Sequence, residues 1–80
     1  MYTLTCTLTF PDGRRVVGQI FASSREGHSP ITYSGAVDLL PRTHGLGSAT
    51  DLKALFKNLA RETGAELSLE AVGQFDTWAD

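Results

Sequence analysis

The sequence predicts an α+β domain: an antiparallel β-sheet of about four strands, begun by an N-terminal hairpin, with one amphipathic α-helix packed on one face. Three observations carry that prediction. Residues 2–22 form two stretches of two-residue alternation separated by a turn. Residues 51–63 repeat apolar side chains at helical spacing. From Glu66 the two-residue alternation returns. A switch of period from two to 3.6 and back marks strands, then a helix, then a strand.

The first strand is the clearest element. Tyr2, Leu4, Cys6, Leu8 and Phe10 alternate with Thr3, Thr5, Thr7 and Thr9, so one side is core and the other is a row of hydroxyls. Pro11 presets φ for the first central position of a type I turn, Asp12 suits the second, and Gly13 accepts positive φ. A type I turn followed by a left-handed Gly makes a three-residue hairpin loop with a bulge. Phe10 then faces Arg14, and the register follows. Leu8 faces Val16, Cys6 faces Gly18 and Leu4 faces Ile20 on one side. Thr9 faces Arg15, Thr7 faces Val17, Thr5 faces Gln19 and Thr3 faces Phe21 on the other.

Residues 23–29 read as a loop, and Ile31 and Tyr33 flanking Thr32 suggest a short strand. Residues 36–40 are open between an extension of that strand and one helical turn before Pro41. Residues 42–48 (RTHGLGS) read as a Gly-rich loop. The helix is expected over Asp51–Thr63, with Leu52, Leu55, Phe56 and Leu59 as its apolar stripe. Ser48 with Asp51, or Thr50 alone, can cap its start, and Gly64 supplies a left-handed stop. In the last strand Leu67, Leu69 and Ala71 point one way and Glu66, Ser68 and Glu70 the other. Gly73 can bend it, and Phe75 and Trp78 follow in a tail.

Eighty residues make a single domain, 1–80, and a chain this short buries only about 60% of its unfolded surface. Cys6 is the only cysteine, so no disulfide forms within the chain. A cysteine on an apolar strand face behaves as a small buried hydrophobe, and a reducing, cytoplasmic setting is expected. No stretch approaches the roughly 20 apolar residues of a membrane span. The alternating strand begins straight after Met1, so no signal peptide is expected.

The composition argues against an enzyme. His28 and His44 are dispersed and Cys6 is alone, which gives no metal-ligand spacing. No nucleophile elbow or Walker pattern occurs. No catalytic residue, metal or cofactor is expected. The charge pattern points to binding instead. The net charge is −2, but all seven bases lie at or before Arg61, and residues 62–80 carry five acids and no base. Such asymmetry marks interaction surfaces.

Three surfaces follow. The first is the Thr face: Thr3, Thr5, Thr7, Arg15, Val17, Gln19 and Phe21, with Phe21 as an aromatic anchor. The second is the acidic strand face of Glu66 and Glu70, where carboxylates can steer a basic partner. The third is the helix ridge Lys53, Lys57 and Arg61 at i, i+4, i+8, which with Arg14, Arg15, Arg25 and Arg42 would suit a small nucleic-acid-binding domain. A homodimerising structural subunit joined at a sheet edge is a further reading.

The hairpin Tyr2 to Ala22, the helix Asp51 to Thr63 and the acidic end Glu62 to Asp80 together resemble the profile of small phage-encoded anti-CRISPR proteins. Many of those are compact single domains with one Cys or none, a short antiparallel sheet, a helix and no catalytic motif. The resemblance implies a non-enzymatic inhibitor that binds a Cas protein or surveillance complex stoichiometrically and blocks its access to DNA.

Overall fold

The computed structural model describes residues 2–24, 26–41, 43 and 45–73, with the backbone alone for Tyr2. Five strands and one helix follow in chain order: β1 (Tyr2–Thr9), β2 (Arg15–Ala22), β3 (Ser29–Gly35), β4 (Leu46–Gly47), α1 (Ala49–Thr63) and β5 (Glu66–Val72). The strands form one antiparallel sheet in the order β4-β3-β2-β1-β5.

The hairpin forms in the expected register, from Tyr2↔Ala22 to Thr9↔Arg15. Its turn is closed by the Gly13 N–H donating to Phe10 O at 2.9 Å and the Phe10 N–H donating to Arg14 O at 2.8 Å, with Gly13 at φ +92°. Asp12 ties the turn down by accepting from the Arg14 backbone N–H at 3.0 Å and from Arg14 Nε at 2.7 Å. These bonds, the backbone one foremost, hold the Asp12 carboxyl below the usual Asp range.

The strand count is the main correction. The sheet has five strands rather than about four, because the stretch read as a Gly-rich loop contains β4. Leu46 and Gly47 pair with Pro30 and Ser29, and the Ile31 N–H donates to Gly45 O at 3.0 Å. Two residues are too short to show any period. Residues 37–39 settle the open choice after β3: they form a single 3-10 turn, with Leu39 N donating to Ala36 O.

Helix α1 starts two residues before the expected Asp51. Ser48 is its N-cap and accepts from the Asp51 N–H at 3.1 Å. Thr50 does not cap; its hydroxyl donates to Glu26 Oε1 at 2.5 Å. Gly64 ends the helix at φ +75° in the left-handed region, as its position suggests.

The helix connects β4 at one edge to β5 at the other. Its 15 residues span about 22 Å, and five strands at about 4.8 Å spacing span about 19 Å, so its length matches the crossing. It packs on β1, β2 and β5. Leu4, Cys6 and Leu8 from β1, Val16 and Ile20 from β2, and Leu52, Phe56 and Leu59 from α1 form one buried core. Leu67, Leu69 and Ala71 of β5 pack half-buried against it.

Gly18 makes room for the helix. A Cβ there would lie 2.8 Å from Phe56 Cζ and 3.0 Å from Leu52 Cδ1, and Phe56 is fully buried. Gly18→Ala is expected to destabilise the fold by about 1–3 kcal/mol, the usual range for overpacking. Urea denaturation measures this, and an unchanged midpoint would show that the ring does not sit over Gly18.

Candidate functional site

The register decides which side chains share the uncovered face. Helix α1 packs on the side of Leu4, Cys6 and Leu8. Thr3, Thr5 and Thr7 therefore stand on the other side, together with their neighbours on both flanking strands. Three rows cross this face. Ser34, Val17, Thr7 and Ser68 make the first; Thr32, Gln19, Thr5 and Glu70 the second; Phe21, Thr3 and Val72 the third. Arg15, Thr9 and Glu66 close the end next to the hairpin turn.

The Thr face and the acidic strand face are thus one surface. Periodicity assigns a face to each strand but not a neighbour, so the sequence alone presents them as two surfaces. Pairing of β5 with β1 places Glu70 beside Thr5 and Glu66 beside Thr9. Every partner-binding candidate (Thr3, Thr5, Thr7, Arg15, Val17, Gln19, Phe21, Glu66 and Glu70) stands on this surface. Val72 joins them; in the sequence it stands at the end of the last alternation, next to Gly73.

Two large apolar side chains are out of place for a merely solvated face. Phe21 is 57% exposed and Val72 63% exposed, and they flank Thr3 in one row. The centre of the face is ordered by side-chain bonding: Gln19 Nε2 donates to Thr5 Oγ1 at 3.0 Å, and Thr32 Oγ1 donates to the Gln19 carbonyl at 3.3 Å. The threonines of β1 are half-buried between their neighbours, while Gln19, Glu66 and Glu70 are exposed. Hydroxyls that both donate and accept give this plane hydrogen-bonding capacity in either sense. β5 is an edge strand, and among the described residues nothing pairs with its outer side.

The basic ridge lies in the other layer. Lys53 is half-buried and Lys57 and Arg61 are exposed, all on α1 behind the sheet. Arg61 Nη2 donates to Asn58 Oδ1, and Arg14 is held by Asp12. Arg25, Arg42, His44 and the tail with Phe75, Asp76, Trp78 and Asp80 lie outside the described residues. Among the described residues no three His, Cys, Asp or Glu side chains gather as a metal site, and no helix is long and apolar enough to cross a membrane.

Cys6 belongs to the core, not to a reactive site. It is fully buried, and that burial pushes its thiol up to about 12, with the Lys53 charge pulling weakly the other way. No protein-family model matches the chain, and no curated protein or solved structure matches it either.

The raised Cys6 pKa fixes a sign. The folded thiol holds its proton more tightly than the unfolded one, whose pKa is about 8.5. This contribution to stability is complete below about pH 8.5 and is lost as pH rises towards about 12. Unfolding midpoints are expected to fall over that window in the wild type, with a shallower fall in Cys6→Ala. At pH 8 a thiol reagent such as DTNB should label Cys6 only at the rate of unfolding. Immediate labelling of native protein would contradict the burial.

Proposed function

We propose that the chain is a non-enzymatic protein-binding module that engages its partner with the open face of the sheet. The row Phe21–Thr3–Val72 carries this reading, because it exposes two apolar groups at one end of an otherwise hydroxyl-rich plane. An exposed aromatic beside a β-branched residue is the kind of anchor that supplies most of an interface's energy. The central Gln19–Thr5 bond holds two side chains of the face in place, which lowers the ordering cost of binding.

Size limits how the face is used. Four strands span about 14 Å across and seven residues about 23 Å along, a projected area of roughly 330 Å². A standard interface takes about 800 Å² from each partner. Contact therefore continues onto the rim, where Arg15, Glu66 and Glu70 stand. Two carboxylates against one guanidinium favour a basic surface on the partner, with a salt-dependent encounter rate.

The finer reading is an inhibitor. A basic surface that normally accommodates phosphates, as on a Cas effector subunit, meets the complementary chemistry here: carboxylates at the rim and hydroxyls in the plane. Occupying it would block access to DNA without any reaction. This is the role that the likeness to anti-CRISPR proteins implies.

Phe21→Asp and Val17→Asp are expected to keep the fold, at a cost of about 1 kcal/mol each from the poorer strand propensity of Asp, and to lose a partner that the wild type retains in affinity capture from its host. Glu66→Lys with Glu70→Lys should remove the salt dependence of that capture. Undiminished capture by both Asp variants would overturn the proposal. Loss of the partner only on Lys53→Glu with Lys57→Glu would move the site to the helix.

A further inference from the structure

On the helix side of the sheet a cleft of about 430 Å³ opens between α1, β3 and β4. It lies in the opposite layer from the open face and is independent of it. The helix produces it by packing over β1, β2 and β5 and leaving the core side of β3 partly uncovered.

The walls are mainly apolar. Ile31 forms buried floor, Leu52 and Leu55 line the helix side, and Leu46, 59% exposed, lines the β4 side. Gly47 lets the β4 backbone close in, since a Cβ there would stand 3.0 Å from Ile31 Cδ1. The volume falls in the range of about 300–1,000 Å³ typical of small-molecule sites.

The polar groups choose the ligand. His28 and Tyr33 contribute one ring each, and among the described lining residues Asp51 alone carries a formal negative charge. Among the described residues no lysine or arginine lines the cleft, and no cation pairs with the Asp51 carboxylate. Glu26 brings a second carboxylate to the first turn of α1 through its bond with Thr50. The helix dipole opposes these charges, but only with about half a positive charge at the N-terminus. Among the described residues the balance stays negative. An anion is repelled, and a neutral apolar molecule leaves Asp51 unmatched.

We propose that this cleft binds a small organic cation, a primary amine on an apolar body, with the ammonium against Asp51 and the body on Ile31, Leu52 and Leu55. Tyr33 adds an aromatic ring of the type that attracts ammonium groups. Charge-assisted hydrogen bonding to a carboxylate is the interaction that separates this ligand from its neutral isostere.

The probe is 2-phenylethylamine, titrated into the ¹⁵N-labelled full chain, with 2-phenylethanol and phenylacetate as neutral and anionic counterparts of the same size. The amine is expected to shift the Tyr33, Leu46, Leu52 and Leu55 amides saturably. The alcohol should bind at least about fivefold more weakly and phenylacetate more weakly still. Asp51→Asn, with the rest of the spectrum unchanged, should bring the amine down to the affinity of the alcohol. The proposal is overturned if amine and alcohol bind alike in the wild type, if Asp51→Asn leaves amine affinity unchanged, if the shifts centre elsewhere, or if no saturable shift appears up to roughly 10 mM, where a ligand this small has to show itself.

Discussion

The turn at Pro11, Asp12 and Gly13 fixes a parity on which the rest of the molecule depends. It sets Phe10 opposite Arg14 and thereby sends each side chain of β1 and β2 to one face or the other. A slip of one residue would send Thr3, Thr5, Thr7 and Thr9 into the helix interface and Leu4, Cys6 and Leu8 into water. Each buried hydroxyl left without a partner costs about 1–3 kcal/mol. Four of them would consume most or all of the roughly 5–15 kcal/mol that holds a domain together. The turn and the hydrophobic pattern therefore support one register, and β5 repeats the same parity on the other side of β1.

One helix then has to cover one face. Phe56 enters the gap left by Gly18, at the middle of the β1–β2 pair, and draws α1 across the sheet between its two edges. What the helix leaves uncovered is as informative as what it covers. The far face of the sheet keeps Phe21 and Val72 exposed, and the near face keeps a cleft above β3. Ile31 and Thr32 are adjacent in sequence, yet the first floors the cleft and the second belongs to the open face. The two candidate surfaces are thus opposite sides of the same strand, built by a single alternation.

The parts legible in the sequence were those with a local cause. The hairpin register followed from three turn residues. The helix stripe of Leu52, Phe56 and Leu59, the Ser48 cap and the Gly64 stop each rest on contacts within a few residues. Phe21 faced outward because its parity is fixed by Gly13. The strand order was not legible, because an alternating strand carries its face but not its neighbour. For that reason the joining of Glu66 and Glu70 to the Thr surface, and the contribution of Val72, emerged only with β5 beside β1. β4 was hidden by its length, and with it one wall of the cleft. His28 and Asp51 line the same cleft across 23 positions of chain, and no local pattern links them.

The most direct test compares two phenylalanines in one sample. A neutral, soluble gadolinium chelate relaxes the protons it can approach, so side-chain NMR signals report exposure residue by residue. The Phe21 ring and the Val72 methyls should broaden strongly, while the Phe56 ring and the methyls of Leu4, Leu8 and Val16 stay sharp. Phe21 protected to the same degree as Phe56 would mean that the open face is closed, and the docking surface would not exist.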